Sequence, residues 1–212
     1  MSYFRFIDNG EGPVKLFVGG IHGKEGNTTI KFFKSLLPSD FYGKAIIYNF
    51  DESPYISTLD KKYYSSAIGK ELISIIKRYK PDFYTELHCY NEKHYQSLID
   101  DNRRKTQGVP PLIELNNKVL TGSASPLIRT KLFSKNTVCK IVEIPCNVFN
   151  SANNSMNENK GAISTYLDFV KLIAISKNRT DFEKRCAEIY PKQVDLAIKY
   201  AKELFGEYFP PF

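Results

Sequence analysis

Features that would direct a chain into a membrane or out of the cell are missing from this sequence. No stretch approaches the roughly 18 consecutive apolar residues that a bilayer-crossing helix needs. The first residues lack the basic, apolar and small-residue regions of a secretory signal peptide. We therefore expect a cytoplasmic protein that does not interact with membranes.

Cysteine is scarce, and no two of the cysteines form a C-x-x-C pair. Thiols in a protein without a secretory signal are expected to stay reduced. We therefore predict reduced thiols that pack as small hydrophobic residues. The four cysteines are Cys89, Cys139, Cys146 and Cys186. A role in metal binding is the alternative, because Cys89 adjoins His88.

A long block of basic residues is also absent, although the net charge is +7. The basic residues form short clusters mixed with acids, as at 103–105 and 177–179. Such clusters favour a solvated surface over a nucleic-acid-binding surface, which needs a concentrated basic patch. We expect a few of these cations to serve an anionic substrate. Nucleic-acid binding is the alternative, with the net charge as its only support.

Apolar residues make up 42% of the chain, enough for a sizeable core, and the length favours one domain over residues 1–212. Apolar runs bounded by glycine, proline and polar residues predict strands, and apolar residues at helical spacing predict helices. The alternation of the two predicts an α/β fold with a partly parallel sheet. The predicted strands lie within 1–12 and at 14–18, 44–50, 83–87 and 138–144, and the predicted helices at 27–37, 64–79, 161–176 and 182–205.

Two segments are predicted to be irregular. Residues 91–134 form a long region with two candidate short strands, at 112–115 and 118–120, and loops of this length are often functional. Residues 149–160 are rich in Asn and Ser and predict an exposed loop. Pro191 is expected to kink or divide the last helix.

The most informative stretch runs from Leu16 to Gly26. An apolar run ends in two glycines, His22 follows, and Glu25 comes three residues later, before a helical segment. Glycine allows backbone angles that other residues avoid, so the chain can turn sharply here. Residues three apart share one face of a helical turn, and imidazole nitrogens and carboxylate oxygens are ligands that zinc accepts. A histidine that only caps or packs in the turn is the alternative.

Two further chemical groups, His88 and Glu143, stand at the carboxyl ends of predicted strands, as the His22–Glu25 pair does. Binding sites of α/β sheets form at the carboxyl ends of the strands. We therefore expect these side chains to meet at one edge of the sheet. A histidine that packs without binding a ligand is the alternative at each position.

Three segments resemble the zinc carboxypeptidases and the related aspartoacylases and succinylglutamate desuccinylases. Gly19–Glu25 looks like their GGxHGxE signature. Glu86–His88 is similar to their second zinc motif, and Ile141–Pro145 resembles the strand that carries their catalytic glutamate. The resemblance covers residues 14–147. The chain as a whole also resembles an uncharacterised family of archaeal proteins found in methanogens.

The resemblance implies a three-layer α/β fold with a mixed, mostly parallel sheet flanked by helices. It implies that His22, Glu25 and His88 bind Zn²⁺ and leave one position for water. Glu143 would take a proton from this zinc-activated water and pass it to the leaving nitrogen. The implied activity is hydrolysis of an amide bond next to a carboxylate. The expected partner is therefore a small carboxylate-bearing substrate, such as an N-acyl amino acid, or a peptide.

The sequence departs from the family pattern where relatives carry an Asn-Arg pair that grips a substrate carboxylate. The nearest match is Asp60-Lys61, and lysine keeps the charge but loses the bidentate geometry of arginine. Lys61 and Arg129 are therefore the candidate substrate-binding cations. The Arg103–Arg104 pair is a further candidate, although surface ion pairs are the role that we expect for these two residues.

Glu86 and His94 lie close to the motifs in sequence but are not predicted to bind the metal. Glu86 is expected either to orient a metal ligand or to be an ordinary strand residue. His94 lies in a polar segment and is expected at the surface. The departure at Lys61 also keeps a second function open, a non-catalytic binding protein of the same fold, although the presence of Glu143 argues against it.

Overall fold

The computed structural model of the chain describes residues 2–149 and 156–206. This part contains seven strands and eight α-helices, with short 3-10 turns at Pro38–Asp40, Tyr63–Ser65 and Glu92–His94. The strands are β1 (Tyr3–Asp8), β2 (Val14–Gly19), β3 (Lys44–Asn49), β4 (Phe83–Tyr90), β5 (Ile113–Asn116), β6 (Val119–Ser123) and β7 (Val138–Pro145). The helices are α1 (Gly26–Ser35), α2 (Ala67–Tyr79), α3 (Tyr95–Ile99), α4 (Arg103–Gln107), α5 (Pro126–Leu132), α6 (Met156–Ile175), α7 (Arg179–Ile189) and α8 (Pro191–Phe205).

The strands form one sheet in the order β1-β3-β2-β4-β7-β6-β5. The central strands β3, β2, β4 and β7 pair in parallel. Both flanks are antiparallel, with β1 against β3 on one side and β6 between β7 and β5 on the other. The sheet is therefore mixed, as predicted: β5 runs in the same direction as the four central strands, and only β1 and β6 run the opposite way.

One antiparallel flank has a local cause in the turn between β5 and β6. Asn117 and Lys118 form this two-residue connection, and both have positive φ, of 53° and 60°. Two-residue turns with this backbone conformation join antiparallel neighbours. The hairpin therefore extends the sheet beyond β7 by β6 and β5, which are antiparallel to each other.

Helices cover both faces of the sheet, because alternate residues of a strand point to opposite faces. Phe17 and Phe83 belong to a core that contains residues of α1, α6 and α7. Leu16 and Tyr84 belong to a second core with residues of α2 and α5. The result is a three-layer arrangement of helices, sheet and helices. No helix in the described ranges combines the length and the apolar character that a membrane crossing requires.

The segments predicted to be irregular contain more regular structure than expected. Residues 91–134 hold the short helices α3, α4 and α5 besides the two predicted strands. In the predicted loop 149–160, residues 150–155 lie outside the described part of the chain, and α6 already begins at Met156. Pro191 divides the last helix as expected, since α7 ends at Ile189 and α8 begins at Pro191.

Cys89 and Cys146 form a disulfide, so the prediction of reduced thiols is wrong for these two residues. Cys89 lies near the end of β4 and Cys146 directly follows β7, and these strands are paired residue by residue up to their carboxyl ends. The pairing brings the two Cα atoms within 4.9 Å. Cysteines far apart in sequence thus become neighbours through strand register, which cysteine spacing does not reveal. Cys139 and Cys186 are free and buried, as predicted.

Candidate metal centre

The turn between β2 and α1 places His22 and Glu25 at the carboxyl end of β2. Gly20 has a φ of +70°, and a Cβ atom at this position would lie 2.0 Å from the carbonyl oxygen of Phe50. Only glycine fits this close approach of two backbone segments. In the turn that follows, the His22 amide donates to Glu25 Oε1 at 2.7 Å. This bond folds the carboxylate back towards the imidazole.

His88 reaches the same place from the neighbouring strand β4. Its Nδ1 atom lies 3.2 and 3.3 Å from the two carboxylate oxygens of Glu25. Its Nε2 atom lies 3.1 Å from Glu86 Oε2, and the Tyr84 hydroxyl donates to the other Glu86 oxygen at 2.7 Å. Carboxylates on both sides therefore fix the orientation of the imidazole ring.

The three predicted metal ligands converge. His22, Glu25 and His88 each offer a ligand atom that lies within 4.8 Å of the other two. The rings of His22 and His88 stack with their centroids 5.0 Å apart, and His22 Nδ1 lies 3.6 Å from Glu25 Oε1. Glu25 and His88 are buried, whereas the His22 side chain keeps 29% exposure and lines a cavity.

The pKa values of these groups reflect burial and the closeness of opposite charges. Burial, and then the neighbouring His88, lower the pKa of His22. Burial alone would raise the pKa of Glu25, but the two histidines beside it hold that pKa below its usual value. Burial opposes charge on His88, yet Glu25 and two further carboxylates raise its pKa well above 6.5. Glu25 is therefore favoured in its ionised form by the two imidazoles beside it, and the carboxylates around His88 favour its protonated form.

The donor set and the charge balance fit a divalent cation. Two imidazoles and one carboxylate beside an open cavity are typical of catalytic zinc sites. A ligating histidine usually turns its far nitrogen to a carboxylate or carbonyl, which is the contact that His88 Nε2 makes with Glu86. Among the described residues, the buried Nε2 atom of His22 has no hydrogen-bond partner. A bound cation would neutralise carboxylates that otherwise depend on the protonation of His88.

Glu143 stands beside His88, because the two residues are opposite each other in the parallel pairing of β7 with β4. Its side chain lines the same cavity as His22 and His88. Burial raises the pKa of Glu143 to about 7, and His88 acts in the opposite direction. A carboxylate with this pKa can both accept and donate a proton near neutral pH, as general acid–base chemistry requires.

A cavity of about 390 Å³ opens next to these side chains. Its walls come from the 55–59 loop, from residues 98–113, from β6 and β7, and from α8. Most of the lining is apolar. The volume lies within the range of about 300–1,000 Å³ that is typical of small-molecule sites.

Neither of the predicted substrate-binding cations is among the described residues that line the cavity. Arg129 is buried on α5, and its guanidinium donates to the carbonyl oxygens of Ser134 at 2.8 Å and Lys135 at 3.4 Å. It fastens the loop that follows α5, and substrate binding by Arg129 stays a prediction that this position does not favour. Lys61 is exposed in the loop before α2, outside the cavity wall.

The two arginines expected at the surface differ in their surroundings. Arg104 forms ion pairs with acidic residues of its own turn and of α8, as expected. Arg103 instead lines the cavity, where Nε donates to Gln107 Oε1 at 3.0 Å and Nη1 to the carbonyl oxygen of Pro110 at 3.2 Å. Successive residues of a helix with 3.6 residues per turn point in different directions, so one arginine can face the cavity and the next the solvent.

Glu86 contacts His88, as the first of its two expected roles requires, and that role stays a prediction. His94 is exposed, as expected. Two tyrosines complete the site without belonging to the sequence motifs. Tyr84 holds Glu86, and the ring of Tyr63 lies edge-on to His22 at 5.9 Å. The position of Tyr84, two residues before Glu86 on the same strand face, is a signal that could have identified it. Tyr63 lies in a separate 3-10 turn and carries no such signal.

Comparison with known proteins places this site in an archaeal family. Residues 10–206 match the family described as uncharacterized protein conserved in archaea (DUF2119). An uncharacterized protein of Methanocaldococcus jannaschii is 40% identical over 209 residues, which cover 96% of each chain. No solved structure matches the chain at a significant level. The chain therefore belongs to the archaeal family DUF2119.

Proposed function

We propose that this chain is a zinc-dependent hydrolase that cleaves an amide bond next to a carboxylate, in the manner of a carboxypeptidase or an N-acyl amino acid deacylase. The observation that carries the proposal is the convergence of His22, Glu25 and His88 beside Glu143 and a cavity. The same residues carry the resemblance to zinc carboxypeptidases and aspartoacylases. Parallel central strands with these side chains at their carboxyl ends are consistent with such a fold.

His22, Glu25 and His88 would hold the zinc ion. When bound, zinc supplies a Lewis acid that polarises a carbonyl group and lowers the pKa of water. Glu86 would keep the His88 ring in place, since it contacts the ring nitrogen that faces away from Glu25. Tyr84 in turn fixes Glu86 by its hydroxyl group.

Glu143 would act as the general base and then as the general acid. It lines the cavity next to His88, where it can accept a proton from the water molecule that attacks the substrate carbonyl. It can then donate this proton to the leaving nitrogen, which departs as an amine. A pKa of about 7 suits both transfers.

Metal analysis tests the first part of the proposal. We expect protein that has been loaded with zinc and dialysed to retain about one ion per chain, and His22→Ala to retain far less. His94→Ala is the matched control, because His94 is an exposed histidine outside the ligand group. A wild-type chain that retains no stoichiometric metal would contradict the proposal.

An assay of hydrolysis on short peptides and N-acyl amino acids tests the second part. We expect Glu143→Gln to lower kcat/KM by about 10²- to 10⁴-fold, the usual contribution of general acid–base catalysis, at unchanged zinc content. Glu188→Gln on the exposed side of α7 is the control. Activity that survives in Glu143→Gln would remove this residue from its proposed role.

A non-catalytic binding protein of the same fold is the second candidate. It is favoured by the positions of Arg129 and Lys61, because neither predicted carboxylate-gripping cation is among the described residues that line the cavity. This candidate predicts a zinc-loaded protein that hydrolyses none of the amide substrates, and the same assay distinguishes it.

A further inference from the structure

The cavity beside the proposed metal centre has two chemically different kinds of wall. His22, His88, Glu86 and Glu143 contribute charged and polar groups. Serine, threonine, tyrosine and glutamine side chains add further polar groups, but the larger part of the wall is apolar. The apolar part includes Leu98, Val109, Leu112, Ile141 and Leu204. The larger part of the wall therefore favours a ligand with an apolar segment.

Helix α8 forms part of the apolar wall with a single face. Ala197, Tyr200, Ala201 and Leu204 line the cavity and are spaced by three and four residues. The two alanines are buried and small, so a larger side chain at either position would take up space inside the cavity. The width of the cavity thus depends on these two positions.

Arg103 supplies a positive charge to the cavity wall. Its Nε and Nη1 atoms are held by Gln107 and Pro110, and Nη2 has no hydrogen-bond partner within residues 2–149 and 156–206. Arginine stays charged in proteins and pairs with carboxylates through parallel hydrogen bonds. Lys140 also contributes to the lining, but it lies on the opposite face of β7 from Glu143, towards Cys186 of α7.

The apolar wall distinguishes between possible amide substrates. A peptide carries backbone N–H and C=O groups along its length, and an apolar wall would leave these groups without partners. An alkyl chain has no such groups and gains free energy from burial. A molecule with an apolar chain, an amide bond and a carboxylate can contact the apolar wall with its chain and the polar wall with its amide and carboxylate groups.

We propose that the cavity binds small amphiphilic anions and that the substrate is an N-acyl amino acid with a long apolar acyl chain. The carboxylate pairs with Arg103, the acyl chain lies along the apolar wall, and the amide bond lies beside Glu143. Hydrolysis adds one water across the amide bond and releases a fatty acid and a free amino acid. The reaction rests on the proposed function, whereas the binding of the anion does not.

Calorimetric titration with octanoate and with acetate tests the binding. Each buried methylene group contributes roughly fourfold in affinity, and octanoate has about six more of them than acetate, so full burial would give a preference of about 4,000-fold. We expect octanoate to bind at least about 100-fold more tightly than acetate, since part of the chain stays in contact with water. Ala201→Leu should weaken octanoate binding by at least about tenfold, because it fills the space of the chain. Ala187→Leu adds the same volume at an exposed position of α7 and should change nothing.

Arg103→Gln tests whether the cavity wall binds the carboxylate of the ligand. The melting temperature shows whether Ala201→Leu folds, and Arg103→Gln provides an independent test if it does not. We expect it to weaken octanoate binding by about 10- to 100-fold, the usual effect of losing a hydrogen-bonded charge pair. Arg104→Gln is the matched control, because Arg104 is the next residue and forms surface ion pairs. Octanoate that binds no more tightly than acetate, or that is indifferent to Ala201→Leu and Arg103→Gln, would overturn the inference.

Turnover of N-octanoylglycine and N-acetylglycine by the zinc-loaded protein separates this inference from the proposed function. We expect a higher kcat/KM for the octanoyl compound and a loss of that preference in Ala201→Leu. Equal turnover of the two compounds would overturn the inference and leave the hydrolase intact. Variant-sensitive octanoate binding without turnover of either compound would overturn the hydrolase and leave the binding of amphiphilic anions intact.

Discussion

Lys15 is a buried charged residue in the middle of an apolar strand. Its side chain leaves β2 on the same face as Phe17, and Nζ donates to the carbonyl oxygens of Tyr42 at 3.0 Å, Ala174 at 2.6 Å and Ser176 at 2.6 Å. Ala174 lies in the last turn of α6 and Ser176 directly follows this helix, and cations are favoured at the carboxyl end of a helix. The lysine thus ties a helix end to the sheet.

The protonation of Lys15 makes stability depend on pH. Burial lowers the pKa of Lys15 to about 7, although Asp181 and Asp82 act in the opposite direction. Between about pH 7 and the unfolded value of roughly 10.4, the unfolded chain binds more protons at this position, so the free energy of unfolding rises with pH. Below pH 7 both states are protonated, and the dependence disappears.

Urea unfolding of wild type and Lys15→Met at several pH values tests this expectation. Above pH 7, the free energy of unfolding of wild type should rise relative to that of Lys15→Met, by up to about 1.4 kcal/mol per pH unit. A difference that stays constant from pH 6 to about pH 9 would show that Lys15 does not lose its proton in the folded state.

At the scale of elements, the turn between β2 and α1 determines where two of the candidate ligands lie. Gly20→Ala should lower the free energy of unfolding by about 3 kcal/mol, because it adds a steric clash to the cost of a positive φ. The added Cβ atom would lie 2.0 Å from the carbonyl oxygen of Phe50. Chemical denaturation measures the loss, and metal content should fall with it because His22 and Glu25 are displaced.

Gly108→Ala is the matched control for this turn. Gly108 has a φ of +69°, almost equal to that of Gly20, but a Cβ atom there meets nothing within 4 Å. Gly108→Ala should therefore lower the free energy of unfolding only by the cost of a positive φ, about 1–2 kcal/mol. Equal losses in the two variants would show that the close approach to Phe50 is not what requires glycine at position 20.

The parts of the structure that the sequence predicts are those with a strong local pattern. Long apolar runs and helical periodicity predict the central strands and the helices α1, α2 and α6. The motif around His22 and Glu25, together with the rule on strand ends, also predicts that these residues meet His88, because parallel strands bring their carboxyl ends together. Membership of an uncharacterised archaeal family is likewise confirmed.

The parts that the sequence does not predict depend on tertiary context. Helices α3 and α4 have five residues each, too few for a helical period to be visible. Arg103 and Arg129 are both cations near short helices, and only the packing of the surrounding chain decides which one faces the cavity. The Cys89–Cys146 bond follows from strand register, which no spacing of cysteines contains.

At the scale of the whole molecule, the disulfide joins two strands that carry site residues. Reduction should lower the free energy of unfolding by about 4 kcal/mol, because the bond closes a loop of more than fifty residues in the unfolded chain. Cys146 is exposed and therefore accessible to a reductant. Guanidinium unfolding with and without dithiothreitol measures the loss.

Cys146→Ser is the control for the disulfide, because it should be less stable than wild type and indifferent to dithiothreitol. A thiol titration confirms that the bond has been reduced in wild type. If fully reduced wild type unfolds at the same guanidinium concentration as the oxidised protein, the bond does not constrain the unfolded chain.

The same bond also marks off a region of the chain. Residues 91–137 form an excursion between the end of β4 and the start of its neighbour β7; this excursion adds β6 and β5 beyond β7 and supplies most walls of the cavity other than α8. The turn with His22 and Glu25 lies outside it. The loops and short helices of the excursion can therefore change in length or lining without moving β2, β4 and β7. Under the proposed function, such a change would alter which molecules enter the cavity while His22, Glu25 and His88 stay in place.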